Sequence, residues 1–297
     1  MSGANEKKRP KRGKAAAGSG VGFRRLVAAE WHRLWKSGAV RLMALSAPLL
    51  ALVSAKYLLS QNAVLDPTLP EYATAGNVPV LALSEMLITA FSGMMLVLAG
   101  LSVTEEYRGG RLRMSMLRAA PLTRTMAAKW TVCLTFMLIQ LGLYLLCTLA
   151  AGRMFFPNPE TYPLFFDAGD VTYAGGLLYD LKYYGLAALV LAAMLTVLLW
   201  IAAVGRSSTV TLGVGIGFLL LSYALPTVLT YFRPLLDPDT FIRIHFLSLL
   251  MIEWEGIAAM LGKRYDVLVW NLGVIAGYGS LFGLLTFGVW KRRDNFE

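Results

Sequence analysis

The stretch Tyr183-Tyr184-Gly185-Leu186-Ala187-Ala188-Leu189-Val190-Leu191-Ala192-Ala193-Met194-Leu195-Thr196-Val197-Leu198-Leu199-Trp200-Ile201-Ala202-Ala203-Val204 contains no Asp, Glu, Lys or Arg. A helix of about 20 apolar residues crosses a hydrocarbon core about 30 Å thick. This run meets that length, so the solvent around it is the bilayer. Comparable runs lie near 40–59, 80–103, 130–153, 210–231 and 268–290. The chain is 57% hydrophobic and only 15% charged, against about 25% charged in a soluble domain. The expected fold is an all-α integral membrane protein whose six transmembrane helices fill a domain from 39 to 293.

The segments between the runs set the expected orientation. The 104–129 loop holds Arg108, Arg111, Arg113, Arg118, Arg124 and Lys129. Arg206 follows the fourth run, and Lys291, Arg292 and Arg293 follow the last. The other loops, near 60–79, 154–182 and 232–267, hold few Lys or Arg and carry acids, among them Asp66, Glu71, Asp180, Glu253 and Glu255. Lys and Arg accumulate on the cytoplasmic side. The alternation predicts a multi-pass protein of the cytoplasmic membrane with both termini in the cytoplasm. The loop acids read as solvated surface.

The N-terminal 41 residues hold much of the net charge of +10. Residues 1–20 are Lys, Arg, Gly, Ala and Ser with too little apolar content for a core, and they are expected to be disordered. Residues 21–38 place Phe23, Val27, Trp31, Leu34 and Trp35 at helical spacing, with Arg24, Arg25, Arg33 and Lys36 elsewhere on the wheel. That pattern predicts an amphipathic helix in the membrane interface. The basic stretch points to anionic lipid and not to nucleic acid, and its length and amphipathic sequel do not fit a cleavable signal peptide.

No enzyme motif is present. The sequence lacks GxSxG, HExxH and a P-loop, so it holds no ATP through a Walker motif. Cys133 and Cys147 share one helix about 21 Å apart, too far for a disulfide. His32 and His245 are the only histidines, so no metal centre is expected. Three glycine pairs, Gly213/Gly217, Gly273/Gly277 and Gly279/Gly283, have the spacing used for close helix packing in lipid. Polar residues inside spans are functional candidates. Glu85, with Thr89, Ser92 and Gly93 along its face, and Gln140 are the residues expected to line a substrate path.

The 104–129 loop carries the most information. Gly109-Gly110 breaks the helix that leaves the second span, and 111–118 can form about two turns with Leu112 and Met116 on one side. Pro121 stops it. A short exposed helix between two spans suits a docking role. Together with the six-span layout, this loop resembles the first cytoplasmic loop of ABC-2 type transporter permeases. Glu105, Glu106, Gly110, Leu117, Pro121, Arg124 and Lys129 sit at matching places. Gly110-Arg111 stands where the family usually has Gly-Thr. The resemblance covers about 21–293 and implies an ABC-2 transmembrane domain of the type V exporter kind. It makes the chain half of a permease dimer, homo- or heteromeric, served by separate ATPase subunits that hold ATP and Mg²⁺, with no cofactor in this chain. The ATPase-coupling residues implied are Glu105, Glu106, Arg108, Gly110, Arg111, Leu112, Met116, Leu117, Pro121 and Arg124. The cargo implied is a peptide antibiotic or a drug. The alternative is a membrane scaffold or immunity protein that transports nothing.

Overall fold

The computed structural model describes residues 22–108, 121–164, 169–205, 207–262 and 267–295, and of 104–108 and 293–295 the backbone alone. Helix α1 (Phe23–Lys36) ends at Ser37, whose extended backbone turns the chain into α2 (Gly38–Asn62). Helix α3 runs as Val78–Met86, widens into a π turn at Leu87–Phe91 and continues as Ser92–Arg108. Helix α4 (Leu122–Phe155) starts from Pro121, an extended residue with no N–H to leave unpaired. Helix α5 (Tyr173–Gly205) is followed by α6 (Ser208–Thr230), whose cap Ser207 accepts from Val210 N at 3.2 Å.

A short α7 (Pro238–His245) and α8 come next. Helix α8 comprises Leu249–Met251, a π turn at Ile252–Gly256, and Ile257–Leu261. The last helix is α9 (Leu268–Asn295). Among the described residues six helices, α2, α3, α4, α5, α6 and α9, are long and apolar enough to cross a membrane. The protein is thus a helical membrane protein with six candidate spans. Several spans exceed their expected limits: α4 begins at 122 instead of 130, and α5 at 173 instead of 183.

Helix α5 is the axis of the bundle. It packs against α3, α4, α6 and α9, and 72% of its most apolar stretch is buried, against 11% for α6 and 17% for α9. The unburied faces carry large apolar side chains: Leu45 is 75% exposed, Leu221 73% and Leu284 72%. In water such faces would aggregate, whereas in lipid they are solvated.

The glycine pairs do not perform the packing expected of them within the chain. A Cβ at Gly213, Gly217, Gly273, Gly277 or Gly279 would meet nothing within 4 Å, and one at Gly283 would only touch Thr196. Close contacts fall elsewhere, at Gly215, where a Cβ would clash with Leu96 Cδ1, and at Gly152, where it would lie 2.9 Å from Ala75 O. Spacing alone marks a glycine pair but not the face that is covered.

The 232–267 segment is no simple loop. Helices α7 and α8 are apolar enough to span only when taken together, and they are bent by 99° about their break. Ser248 Oγ donates to Ser222 O at 3.0 Å and Trp254 stacks on Tyr223, so α8 lies alongside the last third of α6. Asn271 donates to Gly256 O near the start of α9, while Phe282 meets Trp200. Helices α5 and α9 therefore run in the same direction. The chain leaves α6 and enters α9 at one end of the bundle, and α7–α8 dip in from that end. The described residues at the two chain ends lie together at the other.

One departure from an all-α chain is a two-stranded antiparallel hairpin, β1 (Thr161–Pro163) with β2 (Asp170–Thr172), which marks the first of these ends. Gly169, at φ 90°, takes the left-handed conformation that its closing turn requires. Tyr162 of β1 reaches back into the bundle. A Cβ on Gly176 would come within 1.6 Å of its hydroxyl, and one on Gly76 within 2.4 Å of its ring. The hairpin is thereby wedged between the segment before α3 and the start of α5.

Candidate functional site

Two acids expected on wet surface are inside the protein. Glu253, in the π turn of α8, is 0% exposed; its Oε2 accepts from Ser92 Oγ at 2.7 Å, and its Oε1 has no hydrogen-bond partner. Asp180, in the first part of α5, is 1% exposed and its Oδ2 is unpartnered. Among the described residues neither has an ion-pair partner. The clue was local: Glu253 interrupts the apolar run Leu249–Leu261, and Asp180 sits between Leu177-Leu178 and Leu181. Loops of that composition are packed elements. Buried ionisable groups are costly and mark functional candidates.

Beside them a pocket of about 550 Å³ opens at the hairpin end, between α2, α3, α5 and α8. Glu85 is on its wall and is exposed to it. Glu71 and Glu255 line it too, and among the described residues none that line it is Lys or Arg. Tyr57, Tyr183 and Trp254 form its aromatic surfaces. Gln61 donates to the Tyr57 hydroxyl at 2.7 Å, and Trp254 is stacked on Tyr223 with centroids 6.3 Å apart. Just outside, Asp66 is held below the ordinary carboxylate range by the backbone N–H and hydroxyl of Thr68.

The rest of the expected path is not assembled. The π turn at Leu87–Phe91 shifts later residues by about a quarter turn relative to a regular helix. Ser92 consequently leaves the face of Glu85 and turns to Glu253. Thr89 only back-bonds to Glu85 O at 3.3 Å. Gln140 is 1% exposed, and its amide nitrogen donates to Met43 O and Ser46 Oγ of α2. It joins two spans and lines no pocket with Glu85.

At the other end, Lys129 is the anchor. Its ammonium is 3.0 Å from Glu30 Oε2 of α1 and donates to Ser102 O of α3 at 2.8 Å. Arg33 pairs with Glu30 at 2.6 Å and donates to the same carbonyl. The amphipathic helix is thus pinned by ion pairs to α3 and α4, and its apolar face is divided. Leu34 is buried and Trp35 meets Phe136 of α4, while Phe23 is exposed. Glu30 gave no signal by spacing, since it is a lone acid within a basic helix.

Of the expected coupling residues, Glu105, Glu106 and Arg108 lie on the last turn of α3. Pro121 caps α4, and Arg124 is exposed on its first turn. Gly110, Arg111, Leu112, Met116 and Leu117 lie outside the described residues.

Fold and site define a polytopic helical membrane protein with an acidic, aromatic pocket at one end and an ion-paired amphipathic helix at the other. The chain belongs to the family described as protein of unknown function (DUF2705), whose model matches residues 48–296 and so takes in all or part of every candidate span. No curated protein matches the chain.

Proposed function

We propose that this protein is the membrane subunit of an ATP-driven exporter of the ABC-2 permease type. The observation that carries the reading is the Lys129–Glu30 pair. The segment with the ABC-2-like sequence lies between α3 and α4, and this buried pair, with Ser102 O, ties the beginning of α4 to both α1 and α3. A push on the segment is delivered to three helices at once. The pinned end is cytoplasmic in this reading and the hairpin end is outside, in keeping with the Lys/Arg distribution. A second permease subunit covers the exposed faces of the spans, and ATP and Mg²⁺ stay on a separate ATPase. The chain itself performs no chemistry.

The test is docking. Leu112→Asp combined with Met116→Asp places charge in the contact with the ATPase. Losing one hot-spot contact costs about 2 kcal/mol, more than tenfold in affinity. The double variant is expected to insert at wild-type yield and to lose co-elution of the ATPase and transport. Normal co-elution with normal transport would remove this segment from the coupling role. A wild-type chain that brings down no ATP-hydrolysing partner favours the scaffold or immunity alternative.

A further inference from the structure

We infer that the pocket around Glu85 binds an amphiphilic organic cation, a protonated amine or quaternary onium group attached to an apolar body. Three carboxylates, Glu71, Glu85 and Glu255, line it, with no lysine or arginine among the described lining residues. Glu255 has a neighbour in His245, at 3.7 Å. Glu71 and Glu85 have no ion-pair partner among the described residues. An anion would be repelled outright, and a neutral ligand could offset the lost hydration of those carboxylates only through hydrogen bonds from its own donors, whereas a cation pairs with their charge directly.

A second, independent feature points to a ligand. Tyr183 is 0% exposed, lines the same pocket and has no hydrogen-bond partner for its hydroxyl. Most buried hydroxyls have a partner. This one is a donor on the pocket's wall that no described residue engages.

The walls select an organic cation over a metal ion. A bare divalent ion needs several oxygen donors converging within about 2.6 Å, and among the described residues no group of three or more potential ligands is so placed. The pocket instead offers Tyr57 and Trp254, exposed rings of the kind that attract an onium group over their faces. Both are pre-set, Tyr57 by Gln61 and Trp254 by Tyr223. Leu58, Leu65 and Leu81 supply the apolar remainder. A volume of about 550 Å³ suits a drug-sized ligand.

This inference names the substrate class of the exporter and rests on that reading only for the direction of movement. The probes are tetraphenylphosphonium and tetraphenylborate, ions of nearly the same shape and opposite charge. The full chain in neutral-lipid nanodiscs is titrated with radiolabelled tetraphenylphosphonium, with empty nanodiscs as the background. Saturable binding is expected, not displaced by tetraphenylborate. Glu85→Gln, and separately Glu71→Gln on the exposed loop, are expected to raise Kd about tenfold each, and Trp254→Leu by a similar factor. Equal binding of both ions would overturn the proposal, as would absence of saturable binding or unchanged Kd in well-folded variants. If one glutamine variant fails to fold, the other decides. Saturable binding without ATP-dependent efflux of tetraphenylphosphonium from proteoliposomes containing the ATPase overturns the exporter reading and leaves the site standing. Efflux of another cargo without binding does the reverse.

Discussion

Ser92 and Glu253, 161 residues apart in the chain, join two π turns by a 2.7 Å hydrogen bond. Ser92 is the first residue after the π turn of α3, and Glu253 lies inside that of α8. Each π turn rotates its helix away from regular register, and the bond is what the rotation achieves. Without it, Glu253 Oε2 would join Oε1 as an unpartnered oxygen inside an apolar bundle.

Ser92→Ala is therefore expected to cost about 1–3 kcal/mol, the penalty of stranding a buried acceptor. Glu253→Gln keeps an oxygen that can accept from Ser92 and should cost less. Thermal unfolding of the purified protein in one detergent ranks the two. A Glu253→Gln protein less stable than Ser92→Ala would show that the carboxyl group itself, and not this bond, holds α8 in place.

Lys129 offers a sharper contrast. Its side chain is wholly buried, and removing it leaves Glu30 with Arg33 as its ion-pair partner among the described residues. Lys129→Ala should destabilise by about 3–5 kcal/mol, as expected when one partner of a buried pair is lost. Adding Glu30→Gln should recover part of that loss. A double-mutant cycle on unfolding midpoints measures the coupling, and strict additivity would mean that α1 is not held by this pair.

The hairpin wedge predicts an overpacking effect. Gly176→Ala puts a methyl group 1.6 Å from the Tyr162 hydroxyl and should cost about 1–3 kcal/mol through displacement of β1. Tyr162→Phe in the same background should relieve part of it. Limited proteolysis of the 161–172 segment reports the displacement. Equal cleavage of wild type and Gly176→Ala would show that Tyr162 does not secure the hairpin.

Orientation is checked by labelling. In a background lacking Cys133 and Cys147, a cysteine at Asp170 should react with an impermeant thiol reagent in intact cells. One at Arg118 should react only after permeabilisation. The opposite pattern inverts the assignment of the two ends, and with it the side from which a cation reaches Glu85.

The amino-acid sequence by itself determined the solvent of this protein. Uncharged runs such as 183–204 are long enough to span a bilayer whatever their neighbours do, and the distribution of Lys and Arg between them needs no coordinates to be read. It also marked Glu85, because a carboxylate within an apolar run is conspicuous. Tertiary structure alone decided which polar groups meet. Glu253 and Asp180 resemble loop acids until α8 is seen to dip into the bundle and α5 to extend back to Tyr173. Gln140 resembles a path residue until its amide is seen to reach Met43 and Ser46. The glycine pairs have the right spacing, yet among the described residues Gly283 alone of the six meets another helix, at Thr196. The physical reason is the same in each case. Hydropathy is a sum over consecutive residues, whereas a hydrogen bond, an ion pair or a close helix crossing depends on rotation about helix axes. One added residue in a π turn resets that rotation, and no local pattern in this sequence announced it.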